Sequence, residues 1–314
     1  MSHGGGNPRK VVMAALAGNL FITIAKFVAA YLSGSITMIA EGVHSLADTA
    51  NQGLLLVGMV LSARKDPLRF PLGKSREIYF WAFIVSLLLF FLGGVFAIVE
   101  GVSKLRGGHH DHGSLIAPVI VLGVSALAEG ASFFVAFKEF QKTRAGKPFF
   151  QALFGGKDPT IPLVLLEDTG AMLGLLIALI AVVLSWVTGS SAIDAIGSIV
   201  IGALLCSIGI LLAKDTHGLL IGEGVSEEVR RQVIALAKSV DGVEDVTQVL
   251  SLYLGPDNVL IALKVRFPGT LVVSELEKVT QALEKKLRAA HPELKRIFVE
   301  ADSSYDPERD DDYA

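Results

Sequence analysis

Six stretches of this chain are apolar over a length that constrains the fold more than any other feature: residues 11–33, 36–62, 78–100, 115–137, 161–187 and 193–213. A bilayer core about 30 Å thick needs roughly 20 consecutive, mostly apolar residues in a helix that crosses it. Lipid offers no partner for an exposed peptide group, so a spanning segment closes its own hydrogen bonds as helix. The spacing therefore predicts an α-helical membrane protein with six transmembrane helices. Mean hydropathy is +0.56 and 52% of residues are hydrophobic, but the decisive point is that these residues come in blocks. The first block follows Arg9 and Lys10 as a secretory signal would. It is long and runs directly into a second block, which reads as an uncleaved helix.

Charge orients the helices. The connection between the second and third stretches holds Arg64, Lys65, Arg69, Lys74 and Arg76, and that between the fourth and fifth holds Lys138, Lys142, Arg144, Lys147 and Lys157. On the opposite side "SGS" and "TGSS" carry no basic residue, and the 3–4 loop has only Lys104 and Arg106. Basic loops favour the cytoplasmic side, so both termini are expected there. After Lys214 the composition turns soluble. Residues 226–240 have helical periodicity behind a Ser226-Glu227-Glu228 start, residues 244–255 and 258–267 alternate as strands around a "GPDN" turn, 273–294 form a second amphipathic helix, and 296–301 a third strand. The order αββαβ predicts a C-terminal cytoplasmic α+β domain of ferredoxin-like type, helices on one face of a sheet. Its other face invites a second copy of the chain. The expected organisation is a cytoplasmic segment 1–10, a membrane domain 11–213, the αββαβ domain 214–302 and an acidic disordered tail 303–314.

Polar residues inside the apolar blocks carry the chemistry. "MIAEGVHSLADTANQ", residues 38–52, places Glu41, His44, Asp48, Asn51 and Gln52 in the second span. Ionisable side chains in spanning helices are rare and mark functional sites. His44 and Asp48 are four residues apart, about 40° around a helix, so they can serve one small volume. A neutral imidazole and a carboxylate suit zinc or a similar divalent ion, though two ligands do not close a tetrahedral shell. The fifth span supplies Glu167 and Asp168 in "LLEDT". Adjacent residues diverge by about 100°, so one faces the site and the other serves as a supporting group, a proton carrier or a partner for Lys26. The alternative for the His44/Asp48 pair is a hydrogen-bond network that holds the bundle together.

Six spans with cytoplasmic termini, His-x-x-x-Asp in span two, an acid in span five and an αββαβ tail together resemble the cation diffusion facilitator family of zinc transporters. "SGSITMIAEGVHSLADTANQ" is similar to that family's loop and second helix, and "FPLGKSREIYFWAF" to its 2–3 loop. The resemblance implies a metal site of His44, Asp48 and Asp168. The family's histidine four residues before the span-five aspartate is here Val164, and "LLEDT" resembles a subgroup that includes mitochondrial zinc transporters. Glu167 is the candidate replacement ligand, with water or Asn19 as alternatives. Phe70 stands where many members have histidine, so the accessory site of that loop is expected to be missing. Within residues 226–301 His291 is the one histidine, so a cytoplasmic metal cluster is not expected either.

The resemblance further implies a metal/proton antiporter with alternating access, Zn2+ and protons as its substrates, a homodimer held by the C-terminal domain, and a multi-pass place in a bacterial inner (plasma) membrane. Manganese, iron(II), cobalt and cadmium are alternative metals. No nucleotide-binding signature is present, and neither an organic cofactor nor a nucleic-acid partner is expected. A membrane-embedded metalloenzyme and a metal-sensing scaffold are the competing readings. Among lesser features, "GGHHDHG" at 107–113 reads as a polar loop with incidental histidines. Lys26 is expected to pair with a membrane acid, Glu129 to bond between helices, and Asp194 to cap a helix. Gly93, Gly94, Gly170, Gly174 and Gly197 suit close helix approach.

Overall fold

The computed structural model describes residues 6–33, 36–107, 116–144 and 146–302. The chain divides into two units, Met1–Arg64 with Glu77–His217, and Lys65–Arg76 with Gly218–Ala314. The first is helical: α1 (Pro8–Ser33), α2 (Ile36–Ser62), α3 (Glu77–Leu88), α4 (Phe96–Gly107), α5 (Ile116–Arg144), α6 (Phe149–Phe154), α7 (Thr160–Thr188) and α8 (Ser191–Ile221). Among the described residues, four helices are long and apolar enough to cross a bilayer: Pro8–Leu32, Glu77–Arg106, Thr160–Thr188 and Ala192–Ile221. α2 and α5 occupy the positions of the two other expected spans. α1 turns Phe21, Ile24, Val28 and Leu32 outward, more than half exposed each. Such an apolar outer face needs lipid to cover it.

The third span differs from expectation in length and in winding. α3 and α4 are joined by a π-helical stretch, Leu89–Val95, so one unbroken helical path runs from residue 77 to 107. The wider turn coincides with Gly93 and Gly94, where α8 comes close. A Cβ on Gly94 would collide with Cys206, and the Cys206 thiol donates to the Phe90 carbonyl at 3.7 Å. Gly170 and Gly197 likewise sit against Ile208 and Ala181, as expected of close-approach glycines. Asp194 differs from the capping role expected: its Oδ2 takes a bond from Lys104 Nζ at 3.3 Å and ties α8 to α4. α6 was not foreseen. It forms because Leu153 is buried and Phe149 meets Phe140 edge-on at 5.2 Å.

One end of the bundle is tightly fastened. Glu139 near the end of α5 accepts from the Asn7 backbone N–H at 3.1 Å, from Lys10 at 3.3 Å and from Lys142 at 2.7 Å. Tyr79 of α3 donates to the Lys157 carbonyl just before α7. The starts of α1 and the end of α5 therefore share this end, as do the starts of α3 and α7. Inside it lies an apolar core that includes Val12, Leu55, Phe140, Leu153, Leu163 and Val164.

The second unit has the predicted αββαβ order: α9 (Glu227–Lys238), β1 (Asp245–Gly255), β2 (Asn258–Arg266), α10 (Val273–Ala290) and β3 (Leu294–Ala301). β1 and β2 pair antiparallel, β2 and β3 parallel, in the order β1-β2-β3. Ser226 caps α9 by accepting from Val229 N–H. α10 stops at Ala290, short of the expected 294, because Pro292 has no N–H to continue a helix. Val259, Ile261, Leu263 and Val265 alternate inward along β2 and are buried, as are Val233, Ala237, Leu283 and Leu287 of the helices. The other face carries the row Leu250–Ala262–Phe298 across the three strands, with Leu250 57% and Phe298 55% exposed. Lys238 reaches Asp245 at 2.7 Å, and that bond together with the Val246 N–H holds the Asp245 carboxyl below the usual range. Residues 65–76 fold with this domain: Arg296 donates to the Pro71 carbonyl and Asn258 to Ser75 Oγ. Within that segment Phe70, where histidine was the family's choice, lies under Lys74 at 4.7 Å and Arg69 at 5.4 Å.

Candidate metal site

α2 places His44 and Asp48 one helical turn apart. The His44 side chain lies outside the described residues, as do the side chain of Glu41 and the histidines of 107–113. Asp48 lines a cavity of about 150 Å³ inside the helical unit, and Glu167 and Asp168 of α7 line the same cavity. Thus three of the four residues expected at a metal site open onto one space, and the fourth is a turn from Asp48 on its own helix. Among the described residues no three or more His, Cys, Asp or Glu side chains are gathered closely enough to hold an ion.

The two neighbouring acids of α7 are held differently. Asp168, 1% exposed, accepts from Ser132 Oγ of α5 through Oδ2 at 2.7 Å. Glu167, 5% exposed, is engaged through both oxygens: Oε1 takes a bond from Asn51 Nδ2 at 3.1 Å and Oε2 from Gln52 Nε2 at 2.7 Å. Asp168 keeps one oxygen outside this bond, which suits a ligand. Both Glu167 oxygens are already occupied by amides. Val164, at the position where the family has a second histidine, is fully buried in the apolar core. It faces packing, with no donor to offer the cavity.

Asn19, Lys26, Ser45 and Glu129 also line the cavity. Glu129 lies in the electrostatic range of Asp168, Asp48 and Lys26, so the expected pairing of Lys26 with membrane acids has candidates on α2 and α5. Buried ammonium and carboxylate groups in one low-dielectric space lower each other's cost. The sequence reading missed Ser132 and gave Gln52 no role. Ser132 is one of many small polar residues in helices, and nothing in its spacing separates it from Ser86 or Ser207. Gln52 did carry a signal, as an amide four residues beyond Asp48 and just ahead of the apolar run Leu54–Leu55–Leu56.

Residues 12–221 match the model of the cation efflux transmembrane domain. The chain belongs to the cation efflux family. It is a family of transporters, not of enzymes, which removes the metalloenzyme reading. Residues 225–304 match a second model, the cytoplasmic domain of cation efflux proteins, in agreement with the αββαβ fold. Metal tolerance protein C4 of Arabidopsis thaliana is 33% identical over 87% of this chain and 60% of its own length. The human mitochondrial protein named proton-coupled zinc antiporter SLC30A9 is 31% identical over 93% of this chain and 52% of its own. Magnetosome protein MamB of Paramagnetospirillum magneticum is 24% identical over 92% of this chain and 93% of its own. The chain spans 60% and 52% of the length of the first two relatives. In this cation efflux protein the cavity lies inside the helical unit, lined by residues of α1, α2, α5, α7 and α8, and the α+β domain is a separate unit.

Proposed function

We propose that this chain exports a divalent metal, Zn2+ first among candidates, in exchange for protons. The observation that carries the reading is the cavity into which Asp48 and Asp168 open, with His44 one turn along α2. His44, Asp48 and Asp168 are the ligands of this proposal, and Glu167 is the fourth when it leaves its amides. Imidazole and carboxylate must lose protons to bind the ion, so metal and protons compete for the same atoms. Open to the cytoplasm near neutral pH, the ligands are deprotonated and take the metal. Open to the other side, protons displace it. Relatives named as a zinc antiporter and a metal tolerance protein support this cargo.

The architecture of the proposal is six transmembrane helices, α1, α2, the joined α3–α4, α5, α7 and α8, with both termini cytoplasmic. The basic residues of 64–76 and 138–157 support that orientation, and an inner (plasma) membrane accords with it. Homodimerisation through the ferredoxin-like domain is supported by the exposed Leu250–Ala262–Phe298 face. The test is zinc-driven proton flux in vesicles reconstituted with the full chain. Asp48→Asn and Asp168→Asn are each expected to abolish it, and wild-type flux is expected to fall as the metal-loading side is acidified, because protons then hold the ligands. Undiminished flux in both variants would falsify the ligand assignment.

A further inference from the structure

We propose that Asn51 and Gln52 latch Glu167 across the bundle, closing the metal cavity toward the fastened end and withholding Glu167 from the metal while closed. The inference rests on the transport reading and assigns to that site its closure.

Three observations converge. Both Glu167 oxygens accept from α2 amides, at 3.1 and 2.7 Å, and Gln52 is fully buried while Asn51 is 3% exposed. The cavity lies to one side of this layer. The lining residues nearest the fastened end along α1, α2, α5 and α7 are Asn19, Asp48, Glu129 and Glu167, and others, such as Leu122 and Ala178, lie toward the opposite ends of α5 and α7. On the other side of the layer lie Val12, Leu55, Leu163 and Val164 of the apolar core. Asn51 and Gln52 are three and four residues past Asp48, about 4.5–6 Å along the axis. An ion that moves from Asp48 toward the fastened end passes this layer.

The third observation concerns the other half of each amide. Asn51 Oδ1 and Gln52 Oε1 are buried with no hydrogen-bond partner among the described residues. A buried carbonyl without a partner is unfavourable, and water that enters when α2 and α7 part would satisfy both. The bonds lost on opening are thereby offset, which keeps the latched and unlatched states close enough in free energy to exchange. Glu167 then has two jobs in alternation. Unlatched, it turns to the ion beside Asp168 and completes the shell. Latched, it returns to the amides and leaves the ion with fewer ligands, weaker binding and a path away from the fastened end.

The experiment uses the full chain carrying Cys206→Ser and Leu55→Cys, so that a thiol reports on the apolar layer behind the latch. Gln52→Leu is added to this background, with Asn51→Leu as a second variant where the first does not fold. A charged, membrane-impermeant thiol reagent is applied to sealed vesicles from the side of residues 65–76. The latch variant is expected to react at least about tenfold faster than its parent, and to bind Zn2+ about tenfold more tightly by calorimetry, the scale of a supporting partner's effect. Loss of a merely structural contact would not tighten metal binding. Equal modification rates in parent and variant, or weakened zinc binding in the variant, overturn the latch. A parent that binds no zinc overturns the metal reading instead, and the modification rates then still decide whether the layer is a closure.

Discussion

Glu167 and Asp168 are neighbours in the chain but diverge by about 100° around α7, and this angle gives them different partners. Asp168 turns to Ser132 and the cavity, Glu167 to the amides of α2. A hydrogen bond from Ser132 fixes the carboxyl rotamer and leaves the second oxygen for an ion, as partners of metal ligands commonly do. Ser132→Ala is therefore expected to weaken zinc binding about tenfold, with Ser132→Thr restoring most of it. Equilibrium titration of the purified protein measures both. Unchanged affinity in the alanine variant would place the ion away from Asp168.

Among elements, α8 and the π-helical stretch before α4 approach each other closely at glycines on both sides. A Cβ at Gly202 would stand 2.6 Å from the Gly94 carbonyl oxygen and 2.8 Å from the Ile98 nitrogen. Both obstacles are backbone, so neither yields by a change of rotamer. Gly202→Ala is expected to cost about 1–3 kcal/mol, the usual range for forcing extra volume into a packed interface. Gly123 on α5 provides the comparison, since a Cβ there meets nothing within 4 Å. Gly123→Ala should leave stability unchanged or raise it by about 0.5–1 kcal/mol through helix propensity. Thermal denaturation followed by size-exclusion chromatography ranks the two, and a stable Gly202→Ala protein would show that α8 is free to move away from α4.

For the whole molecule, the sheet of the α+β domain has helices on one face and Leu250, Ala262 and Phe298 on the other. Leu250 and Phe298, large apolar side chains at the two ends of this row, are unfavourable in water and gain by meeting a second copy. Phe298→Glu places a charge at that position and is expected to shift the full chain from dimer toward monomer, with the αββαβ fold kept because Phe298 lies outside the domain's core. Light scattering on the detergent-solubilised protein reads the mass directly. A dimer that survives the substitution would assign dimerisation to another surface.

Much of this was legible in the amino-acid order. Periodicity and block length are local properties, so the long helices, the αββαβ order and the polar cluster of α2 follow from the chain alone. Where local signals were weak the reading fell short. The π-helical stretch needs α8 beside it, α6 needs Phe140, and the end of α10 was placed past Pro292 when the helix stops at Ala290. For the candidate site, spacing along α2 put His44 and Asp48 on one stripe, because a helix fixes which residues share a face. Asp168 was singled out by the family resemblance, and Asp48 and Asp168 line one cavity. That both adjacent acids line the cavity, where one was expected to face it, and that Ser132, Asn51 and Gln52 hold them, depends on how α2, α5 and α7 rotate against one another. Rotation is set by packing over whole helices, and so only the tertiary structure decides it.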